Sequence, residues 1–114
     1  MPSPPHQQET ELAAQLLQAQ ILQVQAQFIE SANVYQQILE KYSQHLPFVL
    51  QHAAALISAQ KFETAGNITS KLITQYEKHP YINYLHSQVT IANKDFAQAK
   101  KLSEYAIQNR IDNP

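Results

Sequence analysis

Residues 93–99 read NKDFAQA, and residues 59–65 read AQKFETA. Each stretch sets a Phe ahead of two small or polar residues and an Ala, and the two lie 34 positions apart. Shifting the whole chain by that interval extends the match. Phe28, Phe62 and Phe96 coincide, and three residues on stand Ser31, Ala65 and Ala99, all small. Val34, Ile68 and Leu102 coincide, as do Ile38, Leu72 and Ala106, then Leu39, Ile73 and Ile107. His52 falls on His86, Ala53 on Ser87, and Pro80 on Pro114, while Pro47 is out of step by one residue. Self-similarity at a fixed period of this size is the mark of a recurring supersecondary unit.

The units run about 13–46, 47–80 and 81–114, and each reads as two helices around a short polar turn. In the first unit Phe28, Ser31, Ala32, Tyr35, Ile38 and Leu39 follow the steps of one face of a 3.6-residue period. The turns QAQ, SAQK and ANKD are short enough to require antiparallel helix neighbours. Pro47 and Pro80 fit helix starts, where a missing N–H costs nothing, and Asp95 and Thr10 are expected N-caps. A Phe at the head of each second helix is expected to pack back on the first, each burial stabilising by roughly 1.5–3 kcal/mol. The small residue one turn later lets the two helices approach. One helix pair cannot cover both its faces, whereas about three stacked pairs can.

Composition agrees with helix. Gly occurs once, at Gly66, Gln makes up roughly one residue in seven, and 44% of the chain is hydrophobic. The net charge of −1 gives no general attraction to nucleic acid or an acidic membrane surface. The chain has no Cys, which excludes disulfides, thiol nucleophiles and thiolate metal sites. No apolar run is long enough to span a membrane. The opening MPSPPHQQET has neither the basic nor the apolar part of a secretory signal and reads, over residues 1–10, as a disordered Pro-rich tail. Residues 11–114 then form a single domain, and the absence of Cys and of a signal fits a cytoplasmic protein.

With period and pattern in place, the chain resembles the tetratricopeptide repeat family. The aromatic and small positions of that family's second helix match Phe28, Ser31, Tyr35 and Ile38, then Phe62, Ala65, Thr69 and Leu72, then Phe96, Ala99, Ser103 and Ala106. Its small residue midway along the first helix matches Ala19, Ala53 and Ser87. Its first-helix aromatic and Leu are degraded, and its loop Gly is replaced by Gln60 and Lys94. The resemblance implies an all-α, right-handed α-solenoid of antiparallel helix pairs. The first helix of the third unit has an alternative rotation, with Leu85, Val89 and Ala92 inward.

The resemblance also implies a concave groove lined by the first helices that holds a peptide. Carried over residue by residue, the groove comprises Ala13, Leu16, Gln20 and Gln23, then Pro47, Leu50, Ala54 and Ile57, then Tyr81, Tyr84, Gln88 and Ile91. None is charged. A groove for a C-terminal carboxylate needs Lys, Arg and Asn, yet the clamp positions of chaperone-binding members hold Leu16, Gln20, Gln51, Tyr81 and Leu85. The expected ligand is therefore an uncharged or apolar segment, with the Tyr pair supplying flat area and the Gln side chains pairing with its backbone. Packing of these residues within the chain is the competing reading. The same lack of charge argues against the RNA binding of a related 35-residue helical repeat.

His52 and His86 occupy equivalent positions, as do His45 and His79, but duplication accounts for the symmetry, and no carboxylate or thiolate completes a metal site. No cofactor is expected. No Gly-rich phosphate loop or HExxH is present, and the chain reads as a protein-interaction module, adaptor or chaperone-like, not as an enzyme. Asn67-Ile-Thr69 is a glycosylation sequon set inside an expected packed helix. Residues 1–40 carry four acidic side chains and no Lys or Arg, whereas Lys94, Lys100, Lys101 and Arg110 make the third unit basic. The last helix offers Leu102, Ala106 and Ile107. This end favours a fragment of a longer repeat protein, such as a region beside an enzyme domain, or a structural segment that self-associates through its last repeat.

Overall fold

The computed structural model describes residues 5–109, and every regular element among them is a helix. In chain order these are α1 (Pro5–Val24), α2 (Phe28–Lys41), α3 (Leu46–Ser58), α4 (Phe62–Gln75), α5 (Pro80–Ala92) and α6 (Phe96–Gln108). The three Phe residues found by self-comparison open α2, α4 and α6. The chain divides between Ala59 and Gln60 into two compact units, which hold α1–α3 and α4–α6. The division falls inside the second 34-residue repeat, at its turn.

The polar turns repeat in backbone as well as in sequence. Ala26, Gln60 and Lys94, 34 positions apart, all take the left-handed conformation, with φ of 59°, 62° and 63°. After α1, the N–H of Ala26 donates to the carbonyl of Gln23 and that of Gln27 to the carbonyl of Leu22. After α5, Lys94 and Asp95 repeat the pair on Ile91 and Thr90. This is the Schellman ending, which satisfies helix carbonyls that would otherwise lack donors. Here it is made without Gly, against a local steric cost.

In the first unit α2 packs on both α1 and α3. Its buried side chains are Ser31, Ala32, Val34, Tyr35 and Ile38, the face given by the helical period. Two small residues meet where α2 packs on α1. Ser31 and Ala19 are both fully buried, and the Ser31 hydroxyl donates to the Ala19 carbonyl at 2.9 Å. The Lys41–Glu11 pair, at 3.9 Å and well exposed, adds little.

In the second unit α5 packs on both α4 and α6. Gly66 stands where a Cβ would lie 3.1 Å from Cγ1 of the buried Val89, so the sole Gly of the chain marks the close passage of α4 and α5. The loop between these helices is pinned by Asn83, whose amide donates to the carbonyls of Glu77 and His79 at 3.0 and 2.8 Å. Asp95 caps α6 as expected, accepting from the N–H of Gln98 at 3.3 Å. His79 caps α5 by accepting from the N–H of Ile82 at 3.4 Å, and Pro47 and Pro80 lie in the first turns of α3 and α5.

Three expectations need correction. Thr10 caps nothing: α1 begins at Pro5, inside the segment read as tail, and the Thr10 hydroxyl instead donates to the carbonyl of His6 within the helix. Pro5 suits a first helical turn, and the Gln and Glu residues after it are good helix formers, so the helical pattern continues outward past the last large apolar residue. Phe96 is not buried. Phe28 and Phe62 are half-buried, but Phe96 is 64% exposed. A further helix follows α2 and α4 within reach of the chain, and among the described residues none follows α6. On α5 the rotated alternative holds for Leu85 and Val89, which are buried, but not for Ala92, which is exposed. Residues 1–4 of the expected tail, and Arg110 and Pro114 of the third repeat, lie outside the described residues.

Candidate peptide-binding face

The expected groove residues divide between the units. In the first unit, Leu16 and Gln23 on α1 are half-buried, and Ala13 and Gln20 are exposed. On α3, Leu50 and Ile57 are buried, Ala54 is half-buried and Pro47 is exposed. Leu50 and Ile57 are thus core residues of the chain as it stands. The amide oxygen of Gln23 is buried with no hydrogen-bond donor, which costs stability unless a donor reaches it.

In the second unit the corresponding positions of α5 face outward. Tyr81 is 40% exposed, Tyr84 46% and Ile91 53%, with Gln88 half-buried beside them. The difference follows from sequence. In α3, position 51 is Gln and stays exposed. Its counterpart Leu85 is apolar and buried, and this turns the buried arc of α5 away from Tyr84. The Tyr81 and Tyr84 rings stand with centroids 6.0 Å apart and planes inclined by 32°. The rings are tilted, at a separation within the range of aromatic contact. Burial, and then the neighbouring Tyr84, hold the Tyr81 phenol above its ordinary pKa. The face offers two aromatic surfaces, an aliphatic one, two hydroxyls and an amide, without a formal charge. That chemistry suits an apolar segment with a free backbone.

Among the described residues no group of three or more His, Cys, Asp or Glu is placed to hold an ion. His86 is engaged otherwise: its Nδ1 lies 2.8 Å from the hydroxyl of the fully buried Thr69, tying α5 to α4. Burial lowers the pKa of both His52 and His86. Thr69 is also the third residue of the glycosylation sequon, and the sequon lies within α4. Among the described residues no helix is long and apolar enough to cross a membrane.

One exposed surface escaped the sequence reading. Leu17, Ile21 and Val24 on α1 are 58%, 48% and 88% exposed. The groove positions implied by the resemblance, Leu16, Gln20 and Gln23, lie on the neighbouring face of the helix. The spacing of four and three was the available signal. No family model matches the chain, and no curated protein or solved structure matches it.

Proposed function

We propose that the chain is a protein-interaction module of the tetratricopeptide repeat type, which takes an uncharged or apolar peptide segment on the exposed face of α5. The observation that carries this reading is the Tyr81–Tyr84 pair, solvent-exposed and uncharged, with Ile91 on the same side of the helix. Large aromatic side chains left in water on one helix face are the anchors that binding surfaces use. Stacking of the repeats into a right-handed superhelix belongs to the same reading, and it involves neither catalysis nor a cofactor. The test is selection from a random displayed-peptide library, with affinities measured by fluorescence anisotropy. Selected sequences are expected to be apolar, and Tyr84→Ala is expected to weaken them at least about tenfold with helicity intact. Unchanged affinity in Tyr84→Ala would remove the α5 face from the reading. Leu50→Glu is not a suitable probe, because it places a carboxylate at a buried position.

A structural role is the second reading. It is supported by Ile107 and Phe96, each 64% exposed on α6. It requires concentration-dependent assembly that Ile107→Glu abolishes.

A further inference from the structure

The α1 helix presents to solvent two heptads of a coiled-coil seam. Thr10, Ala14, Leu17, Ile21 and Val24 follow steps of four, three, four and three, and all five are exposed. A strict alternation of this kind is the a and d pattern of two supercoiling helices, here with Ile21 at a and Leu17 and Val24 at d. The flanking e and g positions hold Gln18, Gln20 and Gln25, all exposed as well. The opposite side of α1 carries the buried Ala19 and the half-buried Leu12, Leu16 and Leu22, and α2 covers it. The helix therefore uses one face for its own fold and leaves the other whole.

From this geometry we infer that α1 docks in parallel and in register against α1 of a second copy of the chain. Leu17, Gln20, Ile21 and Val24 line a shallow hollow of about 340 Å³, together with Gln25. Four residues at d, g, a and d form the hole that receives an a-position knob from a parallel partner, and the knob available on a second copy is Ile21. β-Branched Ile at a with Leu at d favours a parallel pair. Charge permits the self-pairing. Residues 13–29 carry no charged side chain, so Gln20 meets Gln25 of the second copy across the flank. At the N-terminal end the same register sets His6 opposite Glu11 of the second copy, and no like charges face each other. The seam from 10 to 25 is about 24 Å long. Pairing over that length buries roughly 1,000 Å² in total, at the lower edge for a specific interface. An interface of that size belongs with weak, transient associations. This surface lies on α1, in the compact unit that does not contain α5, and the inference does not depend on peptide binding.

The test is sedimentation equilibrium of the intact chain from low micromolar to about 1 mM, with Ile21→Glu and Ile107→Glu alongside. The expected result is a monomer–dimer equilibrium that Ile21→Glu abolishes and Ile107→Glu leaves unchanged, with equal helicity by circular dichroism. Because the chain has no Cys, Val24→Cys supplies a single thiol at a d position. Mild oxidation should yield a disulfide-linked dimer from it, and much less from Gln36→Cys on the exposed side of α2. A wild-type chain that stays monomeric throughout would overturn the inference. So would dissociation by Ile107→Glu in place of Ile21→Glu, or Val24→Cys crosslinking no faster than Gln36→Cys.

Discussion

Ala26, Gln60 and Lys94 each hold a left-handed backbone that costs an L-residue about 1–2 kcal/mol. Glycine would remove that cost, offset in part by the greater freedom it gives the unfolded chain. Gln60→Gly and Lys94→Gly are each expected to raise stability by about 0.5–1 kcal/mol, read as a higher urea midpoint. A loss at either site would show that its side chain makes a contact worth more than the strain. The two half-buried imidazoles give the chain a pH dependence. Burial disfavours the cation at His52 and His86, so both bind protons less readily folded than unfolded. Above their ordinary value of about 6.5 both states are neutral, and stability is fully present. As pH falls below that value the unfolded chain gains protons that the folded chain resists, and stability is lost. The thermal midpoint should decline from about pH 7 to about pH 5, less steeply in His86→Gln, which can still hydrogen-bond to Thr69. At this scale the sequence was informative about type and silent about environment. The repeat identified His86 and Thr69 as equivalents of other residues, but their mutual bond depends on side chains 17 positions apart meeting across two helices.

Helices were the most legible objects in the chain. Their starts at Phe28, Phe62 and Phe96 and the capping of α6 by Asp95 follow from local chemistry, which is written where it acts. The beginning of α1 was not legible, since a Pro followed by polar helix formers reads equally as tail. The rotation of α5 was also open in the sequence. Periodicity fixes an apolar arc only where apolar residues form one, and Tyr81, Ile82, Tyr84, Leu85 and Ile91 offer two. Packing decides, and it buries Ile82 and Leu85. The passage of α4 past α5 makes a prediction at this scale. Gly66→Leu forces a large side chain against Val89, which is buried and holds a restricted β-branched rotamer. The expected cost is about 2–3 kcal/mol, and Val89→Ala in the same chain should recover part of it. Equal stability of Gly66→Leu and wild type by chemical denaturation would mean that the helices separate freely there. Asp95→Ala should cost about 1 kcal/mol through the lost cap of α6.

A 34-residue period in so short a chain specifies the six helices of the described residues and the packing of neighbouring helices within each compact unit, because each step is a local or near-neighbour relation. Which faces remain open is a different kind of information. It depends on which apolar arc each helix buries, and Leu50 and Ile57 end buried while their repeat equivalents Tyr84 and Ile91 end exposed, because Leu85 stands in α5 where α3 has Gln51. The proposed ligand surface is therefore smaller than the groove inferred by equivalence and centres on α5. Its lack of charge has a measurable consequence. Peptide affinity should change less than about twofold between low and high salt, since screening acts on charges alone, whereas a hidden electrostatic clamp would show a steep loss. The decisive measurement is a titration of the isotope-labelled chain with a selected apolar peptide, followed by backbone amide and tyrosine ring resonances. Shifts concentrated at Tyr81, Tyr84, Gln88 and Ile91 are the expected result. Saturable shifts confined to other helices, with the tyrosine rings undisturbed, would contradict the proposed binding face.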